Sequence, residues 1–147
     1  FVRTLEVVDD AAYDAAYTFV FSPRPGTEAA AMVDDFVAPE VVQERMQRLV
    51  EVVERHALDK HTARVGAVEE VLVDGPSKKD AAVWSGRSRH NKLVHFTPPA
   101  PGALRPGDVV SVGVTAAAPH WLRGDYGERL RAARRGRVRI PIAVTPA

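Results

Sequence analysis

Arg87, Arg89, His90 and Lys92 crowd into the stretch SGRSRHNKLVHF, Ser85–Phe96, which turns apolar at Leu93, Val94 and Phe96. Cations at the mouth of a strand suit phosphate neutralisation: arginine grips a phosphate with two parallel hydrogen bonds, and lysine meets it as a point charge. Ser88 and Asn91 in the same stretch add groups able to read a base edge or a 2′-hydroxyl. A second cationic pair, Lys78 and Lys79, sits in the turn GPSKKD. With strands at 66–73, 82–86 and 91–96 as neighbours, both cationic turns are expected at one rim. Trp84, His95, Phe96, His120 and Trp121 are candidates for stacking on unpaired bases, with core packing as the alternative for each.

Other chemistries find less support. His56 and His61 are five apart, which places them on different faces of a helix, and neither belongs to an HExxH pattern. No G-x-S-x-G elbow, P-loop or dinucleotide glycine fingerprint is present. Asp9/Asp10, Asp34/Asp35 and Glu69/Glu70 read as solvated loop or strand-end charges rather than acid–base dyads. The chain has no cysteine, so disulfides, thiolate metal sites and a cysteine nucleophile are excluded within it. No self-contained active site emerges.

Charge is distributed unevenly. The net charge is +1, but residues 1–61 hold 6 Lys/Arg against 12 Asp/Glu (−6), and residues 62–147 hold 14 against 7 (+7). Two units are expected, the second suited to a polyanion. No apolar run reaches the length of a membrane span, and the first residues, FVRTLEVVDD, lack the features of a signal peptide. The chain begins without Met and is expected to be part of a longer one.

The elements that must carry these residues can be read from periodicity. VRTLEVVDDAA predicts the end of an amphipathic helix, and AAYTFVF a buried strand ending near Phe21. SPRPGT, with Pro23, Pro25 and Gly26, is a loop. Pro39 opens a long helix with Val42, Met46, Leu49, Val50, Val53 and Ala57 on one face, supported by the spacings Glu44–Arg48 and Glu51–Arg55. After about Lys60 the period becomes two. AVEEVLVDGPSKKD, AAVWSGR, NKLVHF and DVVSVGVTAAA predict four short strands with turns between them, a small β-barrel or sandwich. The basic tail carries Arg129, Arg131, Arg134, Arg135, Arg137 and Arg139 as a second electrostatic contact or a solubilising extension.

Two stretches together resemble one family. YTFVFSPRPGTEAA (Tyr17–Ala30) resembles the late barrel strand and following loop of the MiaB-type radical-SAM methylthiotransferases. LVDGPSKKDAAVWSGRSRHNKLVHF (Leu72–Phe96), with GDVVSVGVTAAAPHWLRGD (Gly107–Asp125), resembles their C-terminal TRAM domain. The resemblance implies an α+β chain: a terminal helix–strand–helix piece of a radical-SAM barrel at 1–61, a small antiparallel OB-like barrel at 62–125, and a basic extension at 126–147. It implies a cytoplasmic tRNA-modifying parent, a monomer that adds a methylthio group to an adenosine beside the anticodon using S-adenosylmethionine and two [4Fe–4S] clusters. The partner implied is the tRNA anticodon stem-loop, with no membrane and no DNA. Lys78, Lys79, Arg87, Asn91 and Lys92 correspond to the RNA-facing side of the TRAM barrel, and Arg89, His90 and His120 complete the candidate RNA-binding set. Ser22, Arg24, Gly26 and Thr27 correspond to the loop near cofactor or substrate. Ala67 stands where a basic residue is usual. Without cysteine this chain is expected to be inactive alone. The alternatives are a stand-alone OB-like RNA-binding module and the sibling that modifies a ribosomal protein.

Overall fold

The computed structural model describes residues 1–134. Contacts divide the chain into two units, Phe1–Ala67 with Val114–Arg123, and Val68–Gly113 with the chain from Gly124 onward.

In the first unit, helix α1 spans Val2–Ala11, α2 is a single turn at Glu28–Ala31, and α3 runs from Pro39 to Thr62. Pro39 stands in the first turn of α3, where its missing N–H costs nothing. Helix α1 packs on α3. Asp9 ties the pair together by accepting from Arg55 and lying 2.6 Å from His56 Nε2, while Lys60 donates to the Ala12 carbonyl. The Arg45 and Arg48 guanidiniums stand 5.5 and 5.4 Å from the centre of the Phe1 ring. Glu44 and Arg48 pair at 3.0 Å as their spacing predicts. Arg55 goes instead to Asp9, and Glu51 accepts from Gln47.

The strand expected at AAYTFVF is absent. Residues 15–24 have no regular structure, and Tyr17 and Phe19 are 94% and 83% exposed. A strand forms only where its N–H and C=O groups find a ladder partner, and among the described residues none pairs with this segment. Val20, Phe21, Val37, Pro39, Val42 and Met46 instead line an apolar groove of about 590 Å³.

Five strands close a barrel in the order β1-β2-β3-β5-β4: β1 Val68–Pro76, β2 Trp84–Ser88, β3 Leu93–Thr97, β4 Val109–Ala118 and β5 Trp121–Arg131. Val71, Val73, Val94, Phe96, Val110 and Val112 fill it, at 2% exposure or less, as alternation predicts. Strand β1 runs antiparallel to β2 and β4, and β2 antiparallel to β3. Ser111 on β4 meets Glu128 on β5 through its hydroxyl, and Thr115 meets Arg123, so these two are antiparallel as well. Strands β3 and β5 therefore point the same way, and the barrel is mixed rather than wholly antiparallel. Closure by this one parallel seam is the OB-like arrangement.

Strand β5 was not expected from the sequence, and it carries the chain past Asp125 through residues assigned to a basic extension. Arg129 and Arg131 are strand residues. Arg135, Arg137 and Arg139 lie outside the described residues.

Candidate nucleic-acid interface

Both cationic turns grow from the β1–β2–β3 meander, and the meander separates them. Pro76 pairs with Trp84 at one end of β2, and Val71 with Ser88 at the other. Successive connections of an antiparallel meander fall at opposite ends. Lys78 and Lys79 therefore sit at one end of the barrel and Arg87–Lys92 at the other, about 13 Å apart along β2. The single rim expected from the sequence does not form.

The first turn is short and internally bonded. Ser77 N–H donates to the Val83 carbonyl at 2.7 Å, and Asp80 Oδ1 accepts from Ala82 N–H at 2.9 Å. Lys78 and Lys79 are exposed on it.

The second turn uses most of its polar groups on itself. Ser88 is buried, and its hydroxyl accepts from the N–H groups of His90 and Lys92 at 3.3 Å each. Asn91 takes a left-handed conformation (φ 57) and donates its N–H to the Ser88 carbonyl at 2.9 Å. Ser88 and the Asn91 backbone thus shape the turn, and Ser88 is not available to a base. Arg87 Nη1 donates to the Asn91 carbonyl at 3.2 Å. Arg89 grips Glu70 Oε2 with two hydrogen bonds, 2.9 and 3.2 Å. His90 Nδ1 is 4.0 Å from Glu69, which is itself buried and so is not the solvated charge expected of it. Lys92, 6% exposed, is withdrawn from the surface set. What this end presents outward is Arg87, Arg89, His90 and the Asn91 side chain.

The outer face of β2 and β3 lies between the two turns. Ser85 pairs with His95 and Arg87 with Leu93, all on the side away from the core. Of the aromatic candidates, Phe96 is core at 2% exposure, while Trp84, His95 and Trp121 are half-buried. Trp121 carries the Arg123 guanidinium 5.8 Å from its ring centre. His120 is exposed in the β4–β5 turn, 3.1 Å from Glu54 of α3.

Arg24, Gly26 and Thr27 belong to one turn leading into α2, closed by Thr27 N–H donating to the Arg24 carbonyl at 3.2 Å, and Ser22 lies just before it. Gly26 adopts φ 82, which only glycine takes without strain. Thr27 caps the helix, its hydroxyl donating to the Arg24 carbonyl at 2.8 Å and accepting from Ala30 N–H at 3.3 Å. Ser22, Arg24 and Thr27 line a cleft of about 540 Å³ with Phe19 and Phe21. His61 is buried in α3 with Nδ1 2.6 Å from the Ala57 carbonyl, a packing position. No three His, Cys, Asp or Glu side chains among the described residues are grouped to hold a metal ion. With no cysteine, the chain has no thiolate to offer an iron–sulfur cluster.

Asp108 is the feature that sequence reasoning missed. It is fully buried, and its oxygens accept from Ala133 N–H at 2.7 Å and from Arg105 N–H at 3.1 Å. Burial pushes its carboxyl upward. The two backbone donors, with the charges of Arg129 and Arg105, outweigh that and hold it below its usual value. Its only sequence signal is the turn RPGD at the entry to β4.

The closed mixed barrel with this strand order defines the class of OB-like proteins, an architecture that serves oligonucleotide and oligosaccharide binders alike. No protein-family model matches the chain. Curated relatives do. It is 50% identical over 131 residues, 86% of its length, to the tRNA-2-methylthio-N(6)-dimethylallyladenosine synthase of Mycolicibacterium vanbaalenii, of which it covers 26%. The same-named proteins of Acidothermus cellulolyticus (50% over 139 residues, 92% of this chain, 27% of that protein) and Nocardioides sp. (47% over 128 residues, 85% and 26%) match similarly. Along most of its length the chain matches the C-terminal part of these MiaB-type proteins. It spans about a quarter of the length of the curated relatives it matches. No helix among the described residues is long and apolar enough to cross a membrane.

Proposed function

We propose that this chain is the tRNA-holding part of a cytoplasmic tRNA-2-methylthio-N6-dimethylallyladenosine synthase. It grips the anticodon stem-loop while methylthiolation of the adenosine beside the anticodon takes place elsewhere in the protein. The observation that carries this reading is the identity of about half the residues, along most of the chain, with proteins named for that reaction. In this reading the RNA lies along the outer face of β2 and β3. Lys78 and Lys79 neutralise phosphates at one end, and Arg87, Arg89, His90 and Asn91 meet the strand at the other. His120 adds a polar contact on the β4–β5 turn. The Ser22–Thr27 segment faces S-adenosylmethionine or the reacting nucleotide in the whole protein. The [4Fe–4S] chemistry belongs to cysteines that this chain does not contain. The contribution of these residues is positional: each phosphate contact releases condensed counterions and fixes the register of the stem-loop.

The test is a titration of a fluorescently labelled anticodon stem-loop at several salt concentrations. A log–log slope of about −3 to −5 is expected if roughly five phosphates are engaged. Lys78→Ala/Lys79→Ala is expected to weaken binding while leaving the thermal melt unchanged. Absence of binding, or an affinity indifferent to salt, would overturn the proposal.

A further inference from the structure

Once the two cationic turns are assigned to opposite ends of the barrel, the surroundings of Lys78 and Lys79 change. Their end of the barrel also holds the loop before β4 and the end of β5. Gly107 N–H donates to the Val73 carbonyl at 2.9 Å, and Val73 N–H to the Asp108 carbonyl at 2.9 Å. A Cβ on Gly75 would stand 3.6 Å from Pro106. Beside this junction lies a cleft of about 340 Å³, lined by Gly102–Arg105, Asp108, Arg129 and Ala132.

We infer that Arg105 and Arg129 make this cleft a phosphate-binding site, taking a phosphodiester group of the same nucleic-acid strand that Lys78 and Lys79 contact. The inference rests on the RNA-holding role proposed above and adds to it a site two loops away in sequence.

The charge arithmetic favours an anion. Arg105 Nε is 3.6 Å and Arg129 Nη1 3.7 Å from the Asp108 carboxylate, so one acid faces two guanidiniums and a positive charge is left over. The carboxylate does not hydrogen-bond them: its oxygens take the backbone N–H groups of Ala133 and Arg105, and neither guanidinium comes closer than 3.6 Å. Both distances exceed hydrogen-bond length, so most guanidinium donors stay uncommitted. The two side chains are nonetheless held in place. Arg129 Nη1 donates to the Ala103 carbonyl at 3.4 Å, and Arg105 Nη2 donates to the Ala133 carbonyl. Their side chains are 48% and 38% exposed respectively, open to a ligand yet fixed at their tips. A cation fixed in advance loses little rotamer freedom on binding, and the planar guanidinium suits a phosphate's paired oxygens. Lysines on an open turn have neither advantage.

The experiment uses the whole 147-residue chain and a labelled anticodon stem-loop RNA, with affinity read across a salt series. Arg129→Gln is expected to weaken binding about threefold to tenfold near 0.1 M salt and to make the log–log slope shallower by about 1. Arg129→Lys is expected to keep the slope and lose only part of the affinity. Since Arg105 also secures Ala133, the second measurement leaves it in place. The Nε–Hε resonances of Arg105 and Arg129 in the unmutated chain are expected to shift on adding RNA. Wild-type affinity and slope in Arg129→Gln, or unmoved arginine resonances, with Lys78→Ala/Lys79→Ala still weakening binding, would overturn the cleft and leave the RNA-holding role standing. Failure of the unmutated chain to bind RNA would overturn both.

Discussion

Ala15–Phe21 and Lys92–Thr97 are built from similar residues and have opposite fates. AAYTFVF and KLVHFT are both rich in aromatic and β-branched side chains. The second is strand β3, with Val94 and Phe96 at 0% and 2% exposure and its backbone laddered to β2. The first is irregular, with Tyr17 and Phe19 facing outward. Composition sets a preference for extended backbone. A partner with free hydrogen-bonding groups turns that preference into a strand, and only then do the side chains leave water.

Substitutions can sharpen the contrast. Phe96→Ala removes a ring from the closed barrel and is expected to cost about 3–5 kcal/mol in a denaturant melt followed at the barrel. Gly86→Ala comes next, because β2 lies so close to β1 that a Cβ there would press on the Leu72 carbonyl and stand 2.6 Å from Val71 Cγ1. A loss of about 1–3 kcal/mol or more is expected, with exchange of the β1–β2 amides accelerated.

Asp108→Asn removes a carboxylate that orders the end of the barrel and is expected to cost about 1–3 kcal/mol at neutral pH. The sign of its pH dependence is determined by the lowered pKa of the folded state. The stabilisation is complete above the unfolded value of about 3.9 and fades as pH falls through the folded value. The gap between wild type and Asp108→Asn should therefore be flat above about pH 5 and close in acid. A gap that instead widens below pH 4 would contradict the assignment. Phe19→Ser, at the other extreme, is expected to leave the melting curve within about 0.5 kcal/mol of wild type, since nothing is uncovered by the change. A large loss there would mean that Ala15–Phe21 is held in a packed state.

The two cationic turns form a second contrast within the barrel. One displays its charges, and the other spends them. Arg89 on Glu70, Arg87 on its own turn and buried Lys92 are visible as cations in the sequence but not as partners in it, because Glu69 and Glu70 come from a different strand. Strand β5 was hidden for a related reason. WLRGDYGERLR carries glycines and charges that weaken the alternation. Gly124 is required by its neighbour across the β4–β5 hairpin, where a Cβ would stand 2.8 Å from Val112 Cγ1.

Local physics was sufficient for much of the chain. Apolar periodicity and Pro39 define the long helix, alternation defines β1 to β4, and proline and glycine define the turns. Two matched motifs point to the family. What needed the folded chain was everything that depends on which segment lies beside which. Only closure through the β3–β5 seam makes the barrel mixed, and only the antiparallel meander sends Lys78–Lys79 and Arg87–Lys92 to opposite ends. Only folding brings Arg105, Asp108 and Arg129 around one cleft. Periodicity is a property of neighbours along the chain, whereas charge pairing and strand partnership depend on distances through space.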